Sequence, residues 1–343
     1  MNEVETTGKK PGLARRLLAS VLRIGGLLVL VLGATACFVV QPTCSSNKPA
    51  TLCANPERLK EHVRTMTETI GTRYESQPDK LAECRKFLIG KFQDAGARTE
   101  EQTYEIRRRE FQNVRAFFGP ENAPRIVVGA HYDTCYEGDN VQNTGADDNA
   151  SGVAGLLELA QMLSKQRPSN TTVELVAYCT EEPPHFASKD MGSYRHAKLL
   201  DKEKVVVKGA IILEMIGYFS DAPNSQRYPL EAFKLFYPSK GNFISLVGGV
   251  GDRSLLSTTK KAMQGSAPLP VYSSCIPRRL DAIHLSDHRN YWMFDYPAIM
   301  VTDTSFYRND NYHKSTDTWQ TLDYTRMAHV VTQVHQALLK LGE

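Results

Sequence analysis

Residues 125–155 constrain the fold of this chain more than any other stretch. They begin with an apolar, β-branched run that predicts a buried strand. The strand ends at His131 and Asp133, which project to the same side because residues two apart do so in extended backbone. A loop then leads to Asp147 and Asp148, just before a predicted helix. One histidine and several carboxylates at a strand end suit a divalent metal, although a helix-capping aspartate and a surface histidine would leave the same pattern.

The rest of the chain extends this strand into a layered fold. Strands are predicted at 171–179, 209–216, 243–247 and 297–302, and an antiparallel pair at 99–106 and 110–118. Helices are predicted at 55–70, 78–95, 151–164, 190–200, 253–264, 286–294 and 324–341. Strands that alternate with helices indicate a three-layer α/β/α fold with a mixed, largely parallel central sheet.

Charge and hydropathy divide the chain unevenly. Residues 1–40 hold five basic and two acidic side chains, which accounts for the whole formal net charge of +3. In the remaining residues the basic and acidic side chains are equal in number. No basic surface is therefore left to bind nucleic acid, and no such partner is expected. The first 40 residues also contain an apolar run of about 17 residues, short for a membrane span and long for a signal-peptide core.

We therefore predict three segments: 1–40 as a membrane anchor or signal segment, 41–54 as a linker, and 55–343 as one domain. The positive flank of the apolar run favours a cytoplasmic N-terminus. The body would then lie outside the cytoplasm, membrane-anchored, in the periplasm or the extracellular space. The alternative is a secreted protein or a lipoprotein, cleaved near Cys37.

The seven cysteines show no metal-binding spacing. No Cys-x-x-Cys pair occurs, so a thiolate zinc site is not predicted. Cys44 and Cys53 flank a short polar loop, and they would either pair in an oxidising compartment or remain thiols. Cys135 lies four residues from His131, but at a strand end this spacing does not favour a cysteine nucleophile.

Further acids and histidines follow the other predicted strands. Glu181 and Glu182 come directly after one strand, and Tyr312 and His313 lie in a polar loop after another. Glu214 lies within an otherwise apolar strand, where a carboxylate is costly unless it is paired or metal-bound. Ligands of open α/β sheets gather at the carboxyl ends of the strands. Histidine and carboxylate ligands favour zinc, with manganese or cobalt as alternatives.

These motifs resemble the M28 zinc peptidases, which include two-zinc aminopeptidases and the related glutaminyl cyclases. The resemblance covers roughly residues 55–343 and rests on five segments in order: 129–134, 145–154, 181–183, 213–218 and 311–318. No serine nucleophile elbow, His-Glu-x-x-His motif or P-loop competes with it.

The resemblance implies two zinc ions per chain and a role for each matched residue. His131 and Glu214 would bind one ion, and Glu182 and His313 the other. Asp147 would bridge both ions, with a cis peptide bond to Asp148. Three residues would assist catalysis: Glu181 as general base and acid, Asp133 as the partner that orients His131, and Tyr312 as a hydrogen-bond donor to the oxyanion.

Two details of the match bear on function. Many family aminopeptidases carry Asp where this chain has Glu214, and the longer arm could alter metal preference. Single-zinc cyclases tend to place Ser directly after the corresponding ligand Asp, whereas this chain continues with Asp148.

The expected function is thus a zinc aminopeptidase acting on peptide substrates. The alternatives are a glutaminyl-cyclase-like acyltransferase and a non-catalytic ectodomain. Residues 218–241, rich in Pro, Tyr and Phe, would form a pocket wall or an ordinary surface excursion.

Overall fold

The computed structural model describes residues 13–43, 47–136, 138, 142–280 and 283–343. The strands are β1 (Arg98–Ile106), β2 (Arg109–Phe118), β3 (Arg125–His131), β4 (Thr172–Tyr178), β5 (Val207–Glu214), β6 (Ile244–Gly249), β7 (Val271–Ile276) and β8 (Ala298–Thr302). The helices are α1 (Leu13–Val40), α2 (Pro56–Arg64), α3 (Pro78–Asp94), α4 (Gly152–Leu163), α5 (Gly192–Lys202), α6 (Arg253–Met263), α7 (His288–Trp292) and α8 (Tyr324–Gly342).

Within the described residues, the strands form one mixed sheet in the order β1-β2-β4-β3-β5-β8-β6-β7. The central four, β4, β3, β5 and β8, are parallel, so their carboxyl ends meet at one edge. The antiparallel β1–β2 pair forms one margin of the sheet. At the other margin β6 runs antiparallel to β8 and parallel to β7. The predicted α/β fold with a mixed, largely parallel sheet is confirmed.

Side chains of the central strands alternate between two apolar layers. Ile126 and Val128 of β3 pack into the core that includes apolar residues of α2, α3, α4 and α8. Val127, between them, belongs to the opposite core, with Leu200 of α5 and Trp292 of α7. Burial on both faces accounts for the continuous apolar runs in these strands. The helices thereby fix the sheet edge where the polar side chains gather.

The N-terminal helix α1 contacts the body near its own C-terminal end. The Lys260 ammonium donates to the carbonyls of Val40 and Gln41 at 2.9 Å each, and Asn47 N–H donates to the Gln264 carbonyl at 3.0 Å. Among the described residues, no helix has the length and apolarity needed to cross a membrane. The predicted membrane anchor thus gains no support and stays a prediction. Cys44 lies outside the described residues, so its pairing with Cys53 also remains a prediction.

Helix α2 begins as its sequence predicts and carries a buried histidine. The Asn55 side chain caps it by accepting from the N–H groups of Glu57 and Arg58. On its inner face His62 is buried against the Phe87 ring, 6.1 Å away between centroids. Burial lowers the pKa of His62 to about 4, assisted by the charges of Lys91 and Arg58.

His62 is expected to make the fold acid-sensitive. In the unfolded chain His62 takes up a proton below about pH 6.5, whereas in the folded chain it does so only below about pH 4. The contribution of neutral, buried His62 to the free energy of unfolding is therefore fully present above pH 6.5. It is lost as the pH falls from 6.5 to 4. At about 1.4 kcal/mol per pKa unit, the loss from this residue is about 3 kcal/mol. Urea unfolding in chelator at pH 7.5 and 4.5 should show a smaller difference for His62→Leu than for the unaltered protein. Equal differences would contradict the assignment.

Candidate metal centre and active site

His131 and Asp133 leave the end of β3 together and anchor the site. The two side chains are buried, and His131 Nδ1 lies 3.5 Å from Asp133 Oδ1. The same nitrogen lies 3.2 Å from the Asp133 carbonyl oxygen. These contacts fix the imidazole so that Nε2 faces the carboxylates of the neighbouring strand ends. Orientation of a histidine through its second nitrogen is a common feature of metal sites.

Asp133 also holds the turn that follows β4. Its two carboxylate oxygens accept the N–H groups of Glu181 at 3.2 Å and Glu182 at 3.1 Å. One aspartate therefore sets the position of both His131 and the two consecutive glutamates. Glu181 Oε2 lies 4.0 Å from His131 Nε2, and Glu182 Oε2 lies 3.5 Å from His313 Nε2. The adjacent glutamates thus face different histidines.

Asp148 occupies the centre of the site. Its Oδ1 lies 3.2 Å from His131 Nε2, and its Oδ2 lies 3.1 Å from His313 Nε2. On the His131 side, Glu214 Oε2 approaches Nε2 to 3.6 Å. The result is two His–Glu pairs, His131 with Glu214 and His313 with Glu182, joined by one aspartate.

The structure corrects the assignment of the bridging residue. The Asp147 carboxylate points away from the histidines: Oδ1 accepts from Gly217 N–H at 3.0 Å and Oδ2 from the Asn309 amide at 2.8 Å. The cis peptide bond likewise joins Asp148 to Asn149, not Asp147 to Asp148. Both expectations were wrong by one residue. Consecutive side chains of this irregular turn diverge, and a run of two aspartates does not reveal which one faces inward.

The residues after Asp148 fasten the turn to β5. The Asn149 side chain accepts from Met215 N–H at 3.1 Å and donates to the Leu213 carbonyl at 2.9 Å. The Ser151 hydroxyl accepts from Ile216 N–H at 3.0 Å. Asp148 is thereby placed beside the end of the strand that carries Glu214. The residue after the central aspartate is Asn149, so the contrast with the Ser of the cyclases remains.

Two further buried residues position the centre, and neither was predicted from the sequence. Asp317 accepts the N–H groups of Asp147 and Asp148 at 3.0 and 3.1 Å. Because Asp317 lies in segment 311–318, close in sequence to His313, its position could have suggested a role at the site. Arg73 is fully buried and donates to the carbonyls of Tyr132 at 2.6 Å and Thr144 at 3.0 Å, which fixes both ends of the loop after β3. No local sequence pattern marks such a role.

The electrostatics of the cluster favour added positive charge. Burial raises the pKa of Glu182 to about 7 and that of Glu181 well above its usual range. Burial alone would lower the pKa of His131, but the charges of Glu214 and Glu181 raise it well above its usual range. Burial would raise the pKa of Asp148, yet the two histidine rings close to its carboxylate oxygens bring it below its usual range. So many buried carboxylates require compensating cations.

The donor set fits a divalent metal. The buried atoms His131 Nε2 and Glu182 Oε1 form no hydrogen bond among the described residues. Ligand atoms of His131, Asp148 and Glu182 lie within 4.8 Å of one another. Unpaired buried nitrogen and oxygen atoms that converge on one volume are characteristic of metal ligands. Imidazole and carboxylate donors suit zinc.

An apolar cavity of about 540 Å³ opens directly beside the centre. The acids Asp148, Glu181, Glu182 and Glu214 line one end of it, together with Tyr312 and His313. The remainder is mainly apolar, and its walls include Tyr228, Phe233, Tyr237, Ile276, Leu280, Met300 and Phe306. Part of this wall comes from the segment 218–241, which therefore forms a pocket wall.

Tyr312 belongs to this wall and stacks on the His313 ring, with centroids 3.8 Å apart. Burial raises the pKa of Tyr312, so its hydroxyl keeps its proton. A protonated phenol beside the acidic end of the cavity is available as a hydrogen-bond donor.

The chain matches the model of peptidase family M28 over residues 113–338. The chain belongs to peptidase family M28. Membership identifies it as a hydrolase of peptide bonds. The protein YfbL of Escherichia coli K12 is 46% identical over 284 residues, which cover 82% of this chain and 87% of that protein.

Two solved structures show how this M28 peptidase resembles others in fold. The LapA aminopeptidase of Legionella pneumophila superposes with a TM-score of 0.67 at 22% identity, covering 84% of this chain and 73% of that one. The glutaminyl cyclase of Porphyromonas gingivalis gives 0.61 at 19% identity, covering 83% and 98%. The fold is thus shared by aminopeptidases and cyclases, and it does not separate the two activities.

Proposed function

We propose that this M28 peptidase is a two-zinc aminopeptidase. The observation that carries the proposal is the Asp148 carboxylate, whose two oxygens each face a different histidine. Each histidine has its own glutamate, so the centre has two halves. One ion would be held by His131, Glu214 and Asp148, and the other by His313, Glu182 and Asp148. A single-metal site would leave one of these halves unused.

The two ions, when bound, would lower the pKa of a water and polarise the scissile carbonyl. Glu181 belongs to neither half and remains free to move a proton. Its carboxylate would take the proton of the attacking water and return it to the leaving amine. Asp133 would keep Glu181 in place through the backbone N–H, and Tyr312 would donate a hydrogen bond to the oxyanion.

The cavity indicates which substrates would be preferred. Its acidic end lies at the centre, where the terminal amine and the scissile bond would sit. Its apolar walls would receive the side chain of the first residue, and a cavity of about 540 Å³ has room for a large one. Peptides that begin with leucine or an aromatic residue are therefore the expected substrates.

The test is mass spectrometry of the products from short peptides with varied N-termini, including Gln. The zinc-loaded protein should remove residues one at a time from the N-terminus, fastest for large apolar residues, and a chelator should abolish this. Loss of ammonia, confined to the Gln peptides, would instead establish the cyclase alternative. A protein that folds, binds two zinc ions and changes none of the peptides would support a non-catalytic ectodomain.

Filling the cavity should change the preference for the N-terminal residue of the peptide substrate. Val247 of β6 lines the cavity, whereas Val250, three residues on, is exposed and does not. We expect Val247→Trp to lower kcat/KM about tenfold or more for N-terminal Phe, because overpacking costs about 1–3 kcal/mol. Peptides with N-terminal Ala should lose less than about threefold by the same reasoning, since their side chain leaves the cavity free. Val250→Trp is the matched control. A uniform loss for both peptides would place the side-chain pocket elsewhere.

Removing one histidine should empty one half of the centre. His131→Ala leaves that half with Glu214 and the shared Asp148, while the other half keeps all its ligands. The variant is expected to retain about one zinc per chain instead of two, because two carboxylates alone hold zinc weakly. Metal analysis after gel filtration measures this directly. Two tightly bound ions in the variant would show that His131 is not a ligand.

A further inference from the structure

Cys135 lies at the His313 half of the centre. It follows Asp133 on the loop after β3 and is buried, with only 2% of its surface exposed. Its Sγ, a carboxylate oxygen of Glu182 and a ring nitrogen of His313 lie within 4.8 Å of one another. The thiol is also hydrogen-bonded to His313. Three groups of metal-ligand type thus converge here, one of them sulfur.

The loop holds this cysteine in place. Just before it, Thr134 and the buried Arg73 exchange two hydrogen bonds: Thr134 N–H donates to the Arg73 carbonyl at 3.2 Å, and Arg73 N–H donates to the Thr134 hydroxyl at 2.9 Å. The Asn143 amide contacts the Cys135 carbonyl at 3.4 Å. The buried Glu182 Oε1 forms no hydrogen bond among the described residues, so this carboxylate keeps an acceptor available to a cation.

We propose that the Cys135 thiolate is a ligand of the metal held by His313 and Glu182. This inference rests on the two-metal centre proposed above. On binding, the S–H bond breaks, a sulfur–metal bond forms, and the proton leaves to solvent. The lack of a Cys-x-x-Cys motif does not oppose this assignment, because one thiolate among histidine and carboxylate ligands needs no second cysteine.

The two halves of the centre then differ in their number of ligands. The His313 half has four, namely His313, Glu182, Cys135 and the shared Asp148. The His131 half has three. Zinc sites with four protein ligands are typically structural, and those with three keep a position for water or substrate. A metal in the His131 half would therefore be the one with room for the reacting water, and Glu181 Oε2, 4.0 Å from His131 Nε2, would take that water's proton.

The thiolate also narrows the choice of metal. Sulfur is a soft ligand that favours zinc over magnesium or manganese, whereas the carboxylates and imidazoles of the other half discriminate less. The His313 half should therefore retain zinc against manganese exchange longer than the His131 half does.

X-ray absorption at the zinc edge of the full-length, zinc-loaded protein tests the assignment. With two ions per chain and one thiolate, the expected signal is half a sulfur per zinc, at about 2.3 Å. Cys135→Ser should lose this shell. Cys275→Ser, which alters a buried cysteine elsewhere, and Cys53→Ser, which alters an exposed one, should keep it. Two bound zinc ions with only nitrogen and oxygen neighbours would overturn the role of Cys135 and leave the two-metal centre intact.

A second measurement covers the case in which Cys135→Ser does not fold. Iodoacetamide labelling of the unaltered protein, followed by peptide mass spectrometry, compares the metal-free and zinc-loaded forms. Labelling of Cys135 should slow at least tenfold with zinc, while that of the exposed Cys53 stays constant. Labelling of Cys135 at equal and measurable rates in both forms would contradict the proposal. Failure to bind any zinc would overturn the two-metal centre itself.

Discussion

Glu181→Gln should abolish peptide hydrolysis while the metal content stays at two ions per chain. General acid–base catalysis by a positioned side chain contributes about 10²–10⁴-fold, so kcat should fall by at least that factor. The amide has nearly the shape of the carboxylate but cannot take the proton of the attacking water. The backbone contact that places Glu181, its N–H to Asp133 Oδ1, survives the change. Product analysis and metal analysis on one preparation measure both quantities.

Glu182→Gln is the matched control, because the same chemical change is made one residue later. Glu182 belongs to the His313 half, with Oε2 at 3.5 Å from His313 Nε2. This variant should lose metal as well as activity. Glu181→Gln is thus expected to lose proton transfer alone, whereas Glu182→Gln is expected to lose metal binding. Near-normal turnover in Glu181→Gln would exclude the role given to Glu181.

The second large effect is expected at the two consecutive aspartates. Asp148→Asn removes the carboxylate that both halves share, and affinity for both ions should fall by more than about 100-fold, beyond the loss typical of residues that only orient a ligand. Activity should disappear with the metal. Metal titration in a competing chelator measures the affinities.

Asp147→Asn should behave differently, although the residue is equally buried. Its carboxylate accepts hydrogen bonds from Gly217 and Asn309, and an amide would disturb at least one of them. Stability should fall by about 1–3 kcal/mol, the typical loss when a buried polar partner is removed. Both ions and most of the activity should remain. The reverse pattern, with metal lost from Asp147→Asn and kept in Asp148→Asn, would restore the bridging role to Asp147.

The sheet and its polar edge could be predicted from the sequence because they follow from local patterns. Apolar runs predicted β3, β4, β5 and β8, and the rule for strand ends predicted that the groups following them would meet. Strand β7 was missed. Its buried and half-buried residues alternate, and Pro270 stands just before it, so it lacks the apolar run that marked the central strands.

The remaining features depend on contacts between distant segments. Whether Asp147 or Asp148 faces inward is decided by partners such as Asp317 and Gly217, which are far away in the chain. The role of Arg73 depends on carbonyl groups that only the folded loop presents. Cys135 has no motif of its own, and only its place beside His313 marks it as a metal ligand.

The most direct test of the account is a crystal structure of the zinc-loaded protein with anomalous diffraction measured on both sides of the zinc edge. Two peaks are expected, one between His131 and Glu214 and one between His313 and Glu182, with Asp148 contacting both. Such a map would establish the two-metal centre on which the proposed hydrolysis depends. A single peak at the His313 half, with the His131 half empty, would contradict it and would favour the single-zinc chemistry of the cyclases.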